Sequence, residues 1–130
     1  MPTTGDLLLD SNAIIALLAG DAGLQMKLSS AATYLPIVAV GELYFGARKS
    51  SRVTENIFKI DRLIAVSVVL PCDTPTASIY GETKQRLKVK GKMIPENDVW
   101  IAAMALRYNL SLATRDHHFD EVDGLTIVAW

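Results

Sequence analysis

Residues 6–18 read Asp6-Leu7-Leu8-Leu9-Asp10-Ser11-Asn12-Ala13-Ile14-Ile15-Ala16-Leu17-Leu18. The three leucines show no alternation, so Asp6 to Asp10 reads as a short strand buried on both faces. From about Ser11 the spacing becomes helical, with Ile14, Ile15, Leu17 and Leu18 expected inward. Gly20 ends that helix. A fully apolar strand running into a helix is the start of an α/β unit with a parallel sheet.

The alternation continues outward from this segment. A second helix is expected over Ala22 to Ala32, a strand over Tyr34 to Val38, and a helix over Ala39 to Arg48 with Leu43, Tyr44 and Ala47 apolar. Ile57, Ile60 and Ile64 give Thr54 to Ala65 a helical period. Ser67 to Leu70 reads as a valine-rich strand closed by Pro71. Pro75 opens a helix through Tyr80 toward Lys90, and Gly91 ends it. Asn97 to Tyr108 is a strongly apolar helix; Leu110 to Ala113 and Leu125 to Val128 are the last strands. The expected fold class is α/β, with a central, mainly parallel sheet of about four or five strands. Helices are expected on both of its faces. No linker or repeat divides the chain, so one domain over residues 1–130 is expected.

The chain has 130 residues, of which 50% are hydrophobic, and a mean hydropathy of +0.24. That is greasier than an isolated monomer requires, which points to a covered subunit or partner surface. Thirteen basic residues against fourteen acidic ones exclude a generally basic nucleic-acid binder, though not a local basic patch. Cys72 is the single cysteine, so no disulfide within the chain and no cysteine zinc site can form. Apolar runs such as Ala13 to Ala19 fall far short of the roughly 18 residues of a membrane span. No secretory leader is evident, and a cytoplasmic protein is expected.

In open α/β sheets, sites form beyond the carboxyl ends of the strands. Four acids follow such an end or lie at the start of a helix: Asp10 and Asp116 after strands, Glu42 in the first turns of the helix after the second strand, and Asp98 at the start of the apolar helix. Gathered over one sheet edge, they would repel unless a cation or protons neutralised them. Oxygen ligands of this kind suit Mg²⁺ or Mn²⁺ rather than zinc. Taken singly, each has a plain structural role open to it. Asp98 at a helix start reads as a cap or dipole partner, Glu42 as a solvated helix residue, and Asp116 as a turn residue.

Four fragments in this order resemble the PIN-domain family, and within it the VapC-type ribonuclease toxins of bacteria. They are Leu7-Leu8-Leu9-Asp10-Ser11-Asn12, then Val40-Gly41-Glu42-Leu43 followed by Gly46-Ala47, then Asn97-Asp98-Val99-Trp100-Ile101-Ala102-Ala103, and last Leu112-Ala113-Thr114-Arg115-Asp116 trailed by His118-Phe119. The resemblance covers nearly the full length. Ser11 stands where many members carry threonine, which keeps the hydroxyl. The resemblance implies a divalent-metal endoribonuclease, often a homodimer, silenced by a small antitoxin encoded beside it. Asp10, Glu42, Asp98 and Asp116 match the family's acidic metal-binding set.

Phosphodiester hydrolysis needs an activated water and relief of charge on the reacting phosphate, both of which a carboxylate-held Mg²⁺ supplies. Asp10 and Asp98 are expected as direct ligands, with Asp116 direct or through water. Glu42 is expected to hold a second ion or accept the water's proton. Asn12 and Thr114 either orient these carboxylates or cap and turn the local backbone. His117 and His118 read as a turn, and Phe119 as a core anchor. Arg48, Lys49 and Arg52 form one basic stretch that could grip RNA. Five basic residues fall between Lys84 and Lys92, where Lys84 and Lys88 share a helix face; this is a phosphate contact or a solvated face.

Two other readings fit parts of the pattern. An aspartate-nucleophile phosphatase wants a second aspartate two residues after Asp10, and Asn12 stands there. A non-catalytic RNA- or protein-binding module on the same fold has no use for the retained acidic set.

Overall fold

A computed structural model describes residues 6–29 and 31–130. Among these, five strands form one sheet: β1 (Leu7–Leu9), β2 (Thr33–Pro36), β3 (Val68–Leu70), β4 (Ser111–Ala113) and β5 (Ile127–Val128). Their order is β3-β2-β1-β4-β5, and every pairing is parallel. Six α-helices flank the sheet: α1 (Ser11–Leu18), α2 (Ala22–Leu28), α3 (Ile37–Arg48), α4 (Val53–Ala65), α5 (Thr74–Val89) and α6 (Glu96–Arg107). A 3₁₀ turn spans His117–Glu121.

β1 is the central strand, with Leu8 opposite Tyr34 on one side and Leu112 on the other. It is enclosed on all sides, which is why its leucines run unbroken; Leu8 and Leu9 are fully buried. From β1 the chain winds outward through β2 to β3, then returns to lay β4 against the opposite edge of β1. This reversal opens a crevice beyond the carboxyl ends of β1 and β4. Asp10 and Asp116, more than a hundred residues apart in sequence, follow those two strands.

Helix α6 is buried through Val99, Ile101, Ala102, Ala103 and Met104. Its alanines let the neighbouring elements approach closely. Asp73 ties α5 to α6. It caps α5 by accepting from Thr76 N–H at 3.0 Å, and its Oδ2 accepts from Arg107 Nη2 at 2.9 Å. Phe119 is fully buried and anchors the 3₁₀ turn.

Beyond strands that are one or two residues shorter than expected at their ends, such as β1 and β5, three features differ from the sequence reading. The second helix stops at Leu28 rather than Ala32, because the Ser29 hydroxyl donates back to the Met26 carbonyl at 2.8 Å and closes the last turn. β2 ends at Pro36 and α3 begins at Ile37, two residues earlier than expected. Pro36 has no N–H to continue the ladder, and its φ of −73° suits the entry to a helix. Ile15 was expected inward but is 54% exposed, on the wall of a surface groove described below.

Candidate active site

Asp10 sits at the junction of β1 and α1 and is only 3% exposed. It is the N-cap of α1, its Oδ1 accepting from Ala13 N–H at 2.7 Å. Its Oδ2 accepts from the Thr114 hydroxyl at 2.5 Å. That hydroxyl oxygen also accepts from the Asp116 N–H at 2.9 Å. Thr114 therefore stitches the end of β1 to the segment after β4. Burial raises the Asp10 carboxyl above its ordinary value; the Thr114 and Ala13 donors pull it back, and the charges of Asp116 and Glu42 push it up further.

Asp98 lies in the first turn of α6 but makes no capping bond; Pro95 is the N-cap residue. Its carboxyl is pushed up to about 6, first by burial and next by the negative charge of Asp116, with Asp10 and Glu42 adding to it and His118 opposing. Asp116 caps the 3₁₀ turn by accepting from His118 N–H at 2.9 Å. The ring of His118 folds back, so that Nδ1 lies 3.1 Å from Asp116 Oδ1 and 3.7 Å from Asp98 Oδ2. Glu42, on α3, is exposed, and its Oε1 accepts from the Ser11 hydroxyl at 2.8 Å.

Asp10, Glu42, Asp98 and Asp116 all line one cleft of about 410 Å³. Ser11, Asn12, Glu96 and Asn97 line it too. Carboxylates so crowded raise one another's proton affinity, as Asp98 shows. The four carboxylates give an oxygen-rich donor set of high negative charge, with one imidazole beside it, that fits Mg²⁺ or Mn²⁺ and lacks the sulfur and multiple imidazoles of a structural zinc site. Asn12 bonds none of these carboxylates; the hydroxyl that reaches Glu42 is its neighbour's, on Ser11.

The basic stretches fare differently. Arg48, Lys49 and Arg52 lie at and beyond the far end of α3, outside the acidic cleft. There Lys49 covers the Phe45 ring and Arg52 pairs with Glu55 at 3.3 Å. Lys88 is exposed on α5 and does not line the cleft. Lys84 does approach its rim, pairing with Glu96 at 3.0 Å. Tyr80 also bonds Glu96 and stacks on Trp100 with ring centroids 3.8 Å apart. On the other side of Asp116, a cavity of about 470 Å³ is bordered by Lys92, Arg115 and His117. Arg115 is held there by the Trp130 carbonyl, to which Nη2 donates at 2.6 Å. Sequence reading named Ser11 for its hydroxyl, His118 as part of a turn and Lys92 in a basic run, but did not foresee the Ser11–Glu42 bond, His118 beside the two aspartates, or Lys92 and Arg115 next to Asp116. The Asp-x-His spacing after Thr114 was the one available signal for His118.

A larger groove of about 490 Å³ adjoins the cleft between α1, α3 and α4. Ile15, Leu18, Leu43, Ala47 and Ile60 make it mainly apolar. It shares Ser11, Asn12 and Glu42 with the acidic cleft.

Among the described residues, no helix is long and apolar enough to cross a membrane. The PIN domain family model matches residues 7–125. Ribonuclease VapC2 of Haemophilus influenzae is 34% identical over 94 residues, covering 72% of this chain and 71% of that protein. Toxin FitB of Neisseria gonorrhoeae is 33% identical over 89 residues, 64% of each chain. Among solved structures, DNA-bound VapBC from Salmonella typhimurium superposes with a TM-score of 0.90 at 25% identity, covering 96% of this chain and 98% of that one. VapBC-1 from nontypeable Haemophilus influenzae gives 0.87 at 27% identity, with the same coverage. The carboxylates gathered at the β1–β4 crevice thus sit on a shared scaffold, and this chain belongs to the PIN-domain family, beside proteins named VapC ribonucleases.

Proposed function

We propose that this chain is an endoribonuclease dependent on a divalent metal, the toxin of a toxin–antitoxin pair acting in the cytoplasm. The observation that carries this reading is the meeting of Asp10, Glu42, Asp98 and Asp116 in one cleft at the sheet's switch point. Relatives named Ribonuclease VapC2 and Toxin FitB support the substrate class and the toxin role.

Asp10, Asp98 and Asp116 would hold Mg²⁺ or Mn²⁺, with Glu42 as a further carboxylate. Bound there, the cation supplies positive charge against a phosphate's oxygens and lowers the pKa of a water. Thr114 keeps Asp10 and Asp116 at a fixed separation by bonding to both. Ser11 holds Glu42 by Oε1 and leaves Oε2 free to take a proton from the attacking water. The Lys92 and Arg115 border offers the cationic surface next to the acids on which a strand's phosphates could lie.

Solved relatives are the complexes VapBC and FitAB, which supports an antitoxin as partner here. We assign the groove between α1, α3 and α4 to that partner, since it is apolar and opens into the acidic cleft. A homodimer is supported by large apolar side chains left outside, Phe45 at 66% and Phe58 at 60% exposure.

The test is cleavage of total cellular RNA by the purified chain. Cutting should require Mg²⁺ or Mn²⁺, stop with chelator, and fall at least about a hundredfold in Asp98→Asn. Undiminished cutting by that variant would reject the site. Metal-independent RNA binding without cutting would favour a binding module.

A further inference from the structure

We propose that His118, through Nδ1, is a ligand of the divalent ion beside Asp98 and Asp116, and that this nitrogen tilts the site from Mg²⁺ toward a first-row transition ion such as Mn²⁺. The inference rests on the metal-dependent reading above and adds to it a donor outside the acidic set.

Asp98, Asp116 and His118 each offer one ligand atom, and these three atoms lie within 4.8 Å of one another. The individual separations are informative. An octahedral ion with bonds of about 2.1 Å sets neighbouring ligands about 3.0 Å apart and opposite ones about 4.2 Å apart. His118 Nδ1 is 3.1 Å from Asp116 Oδ1 and 3.7 Å from Asp98 Oδ2, inside that range.

The backbone aims the ring. The His118 N–H donates to Asp116 Oδ1, and the next residue, Phe119, is fully buried. The turn is thereby pinned on both sides of the histidine. The side chain itself is 54% exposed, which leaves the ring open to solvent on one side. His117 is not equivalent: it is 94% exposed, and its Nδ1 faces Asp120 at 3.0 Å. Asp10 accepts one hydrogen bond on each oxygen, from Ala13 N–H and from the Thr114 hydroxyl, and keeps a further lone pair on each for the ion. Three carboxylates leave positions of an octahedral ion open to a further donor. Mg²⁺ takes oxygen and keeps its waters, whereas an imidazole favours first-row transition ions.

The experiment uses the full chain and Mn²⁺ alone, without RNA, near neutral pH. Pulsed electron paramagnetic resonance of bound Mn²⁺ should show a directly coordinated imidazole nitrogen. His118→Gln should lose that coupling and bind Mn²⁺ about tenfold or more weakly. Its Mg²⁺ affinity, read by competition, should change less than about twofold. His118→Asp, with an oxygen restored, should favour Mg²⁺ relative to the parent chain. Melting curves establish that each variant is folded, as expected for an exposed side chain. Bound Mn²⁺ without nitrogen coupling, or coupling that survives His118→Gln, would overturn this assignment and leave the metal reading standing. Absence of stoichiometric Mn²⁺ binding by the parent chain up to millimolar metal would overturn both.

Discussion

With its carboxyl raised to about 6, Asp98 makes two properties depend on pH in the same window. An unfolded aspartate titrates near about 3.9. Between about 4 and 6 the metal-free folded chain therefore holds a proton that the unfolded chain has lost. This group's contribution to stability falls as pH rises through that window and recovers as pH drops. Asp98→Asn should stabilise the metal-free protein by about 1–2 kcal/mol at neutral pH, after allowance for solvent screening, with the gain vanishing below about pH 4. Melting curves across pH check this. Mn²⁺ affinity should move the other way, weakening as pH falls below about 6, because the ligand must be deprotonated. Thr114→Val tests the stitch between Asp10 and Asp116. It leaves the buried Asp10 Oδ2 without its donor, and should cost about 1–3 kcal/mol. It should also weaken Mn²⁺ binding about 10–100-fold by calorimetry.

Among the elements, β1 and the α5–α6 pair have separable roles. Leu8 is fully buried in the central strand. Leu8→Ala should cost about 2–5 kcal/mol in denaturant unfolding, through lost burial and the cavity left behind. Asp73 is outside the acidic cleft, yet it caps α5 and pairs with Arg107 of α6. The Arg107 guanidinium, then Thr76's hydroxyl and N–H, hold its carboxyl well below the ordinary range. Its stabilising contribution is present above the unfolded value and is lost only in strongly acid solution. Asp73→Ala should lower Tm at neutral pH while leaving Mn²⁺ binding unchanged. A parallel loss of metal affinity would mean that α6 cannot hold Asp98 in place without that tie.

On the scale of the whole molecule, the acidic cleft and the apolar groove are adjacent surfaces with different solvents in mind. One gathers charge that a cation relieves; the other leaves Ile15 exposed at 54%. Gly46 borders the groove, and a Cβ placed there would meet no atom within 4 Å. Gly46→Trp should fill the groove without displacing the backbone. Co-expressed with the antitoxin proposed as its partner, the variant should no longer copurify with it, while its Mn²⁺ binding stays intact. Retained copurification would place the partner on another surface.

The local sequence was enough for the sheet's character and for naming the four acids as candidates, though not for placing them in one cleft. Unbroken leucines in β1 betray a strand enclosed on both faces, and Asp10, Asp98 and Asp116 stand at strand ends or a helix start, where chain-local signals are strong. Those signals do not reach side-chain pairs set by chain reversal. Thr114 meets Asp10 because β4 returns to the edge of β1, and no periodicity within either segment specifies that neighbour. Ser11 on Glu42, His118 beside Asp98, and Ile15 outside the core are decided in the same way. The basic stretch at Arg48 is near Glu42 in sequence, but α3 carries it away from the cleft, since the six residues from Glu42 to Arg48 rise about 9 Å along the helix. Sequence by itself determined which residues carry charge and which strands are buried. The tertiary structure decided which charges meet, because that depends on the order of strands in the sheet and not on the residues beside each one.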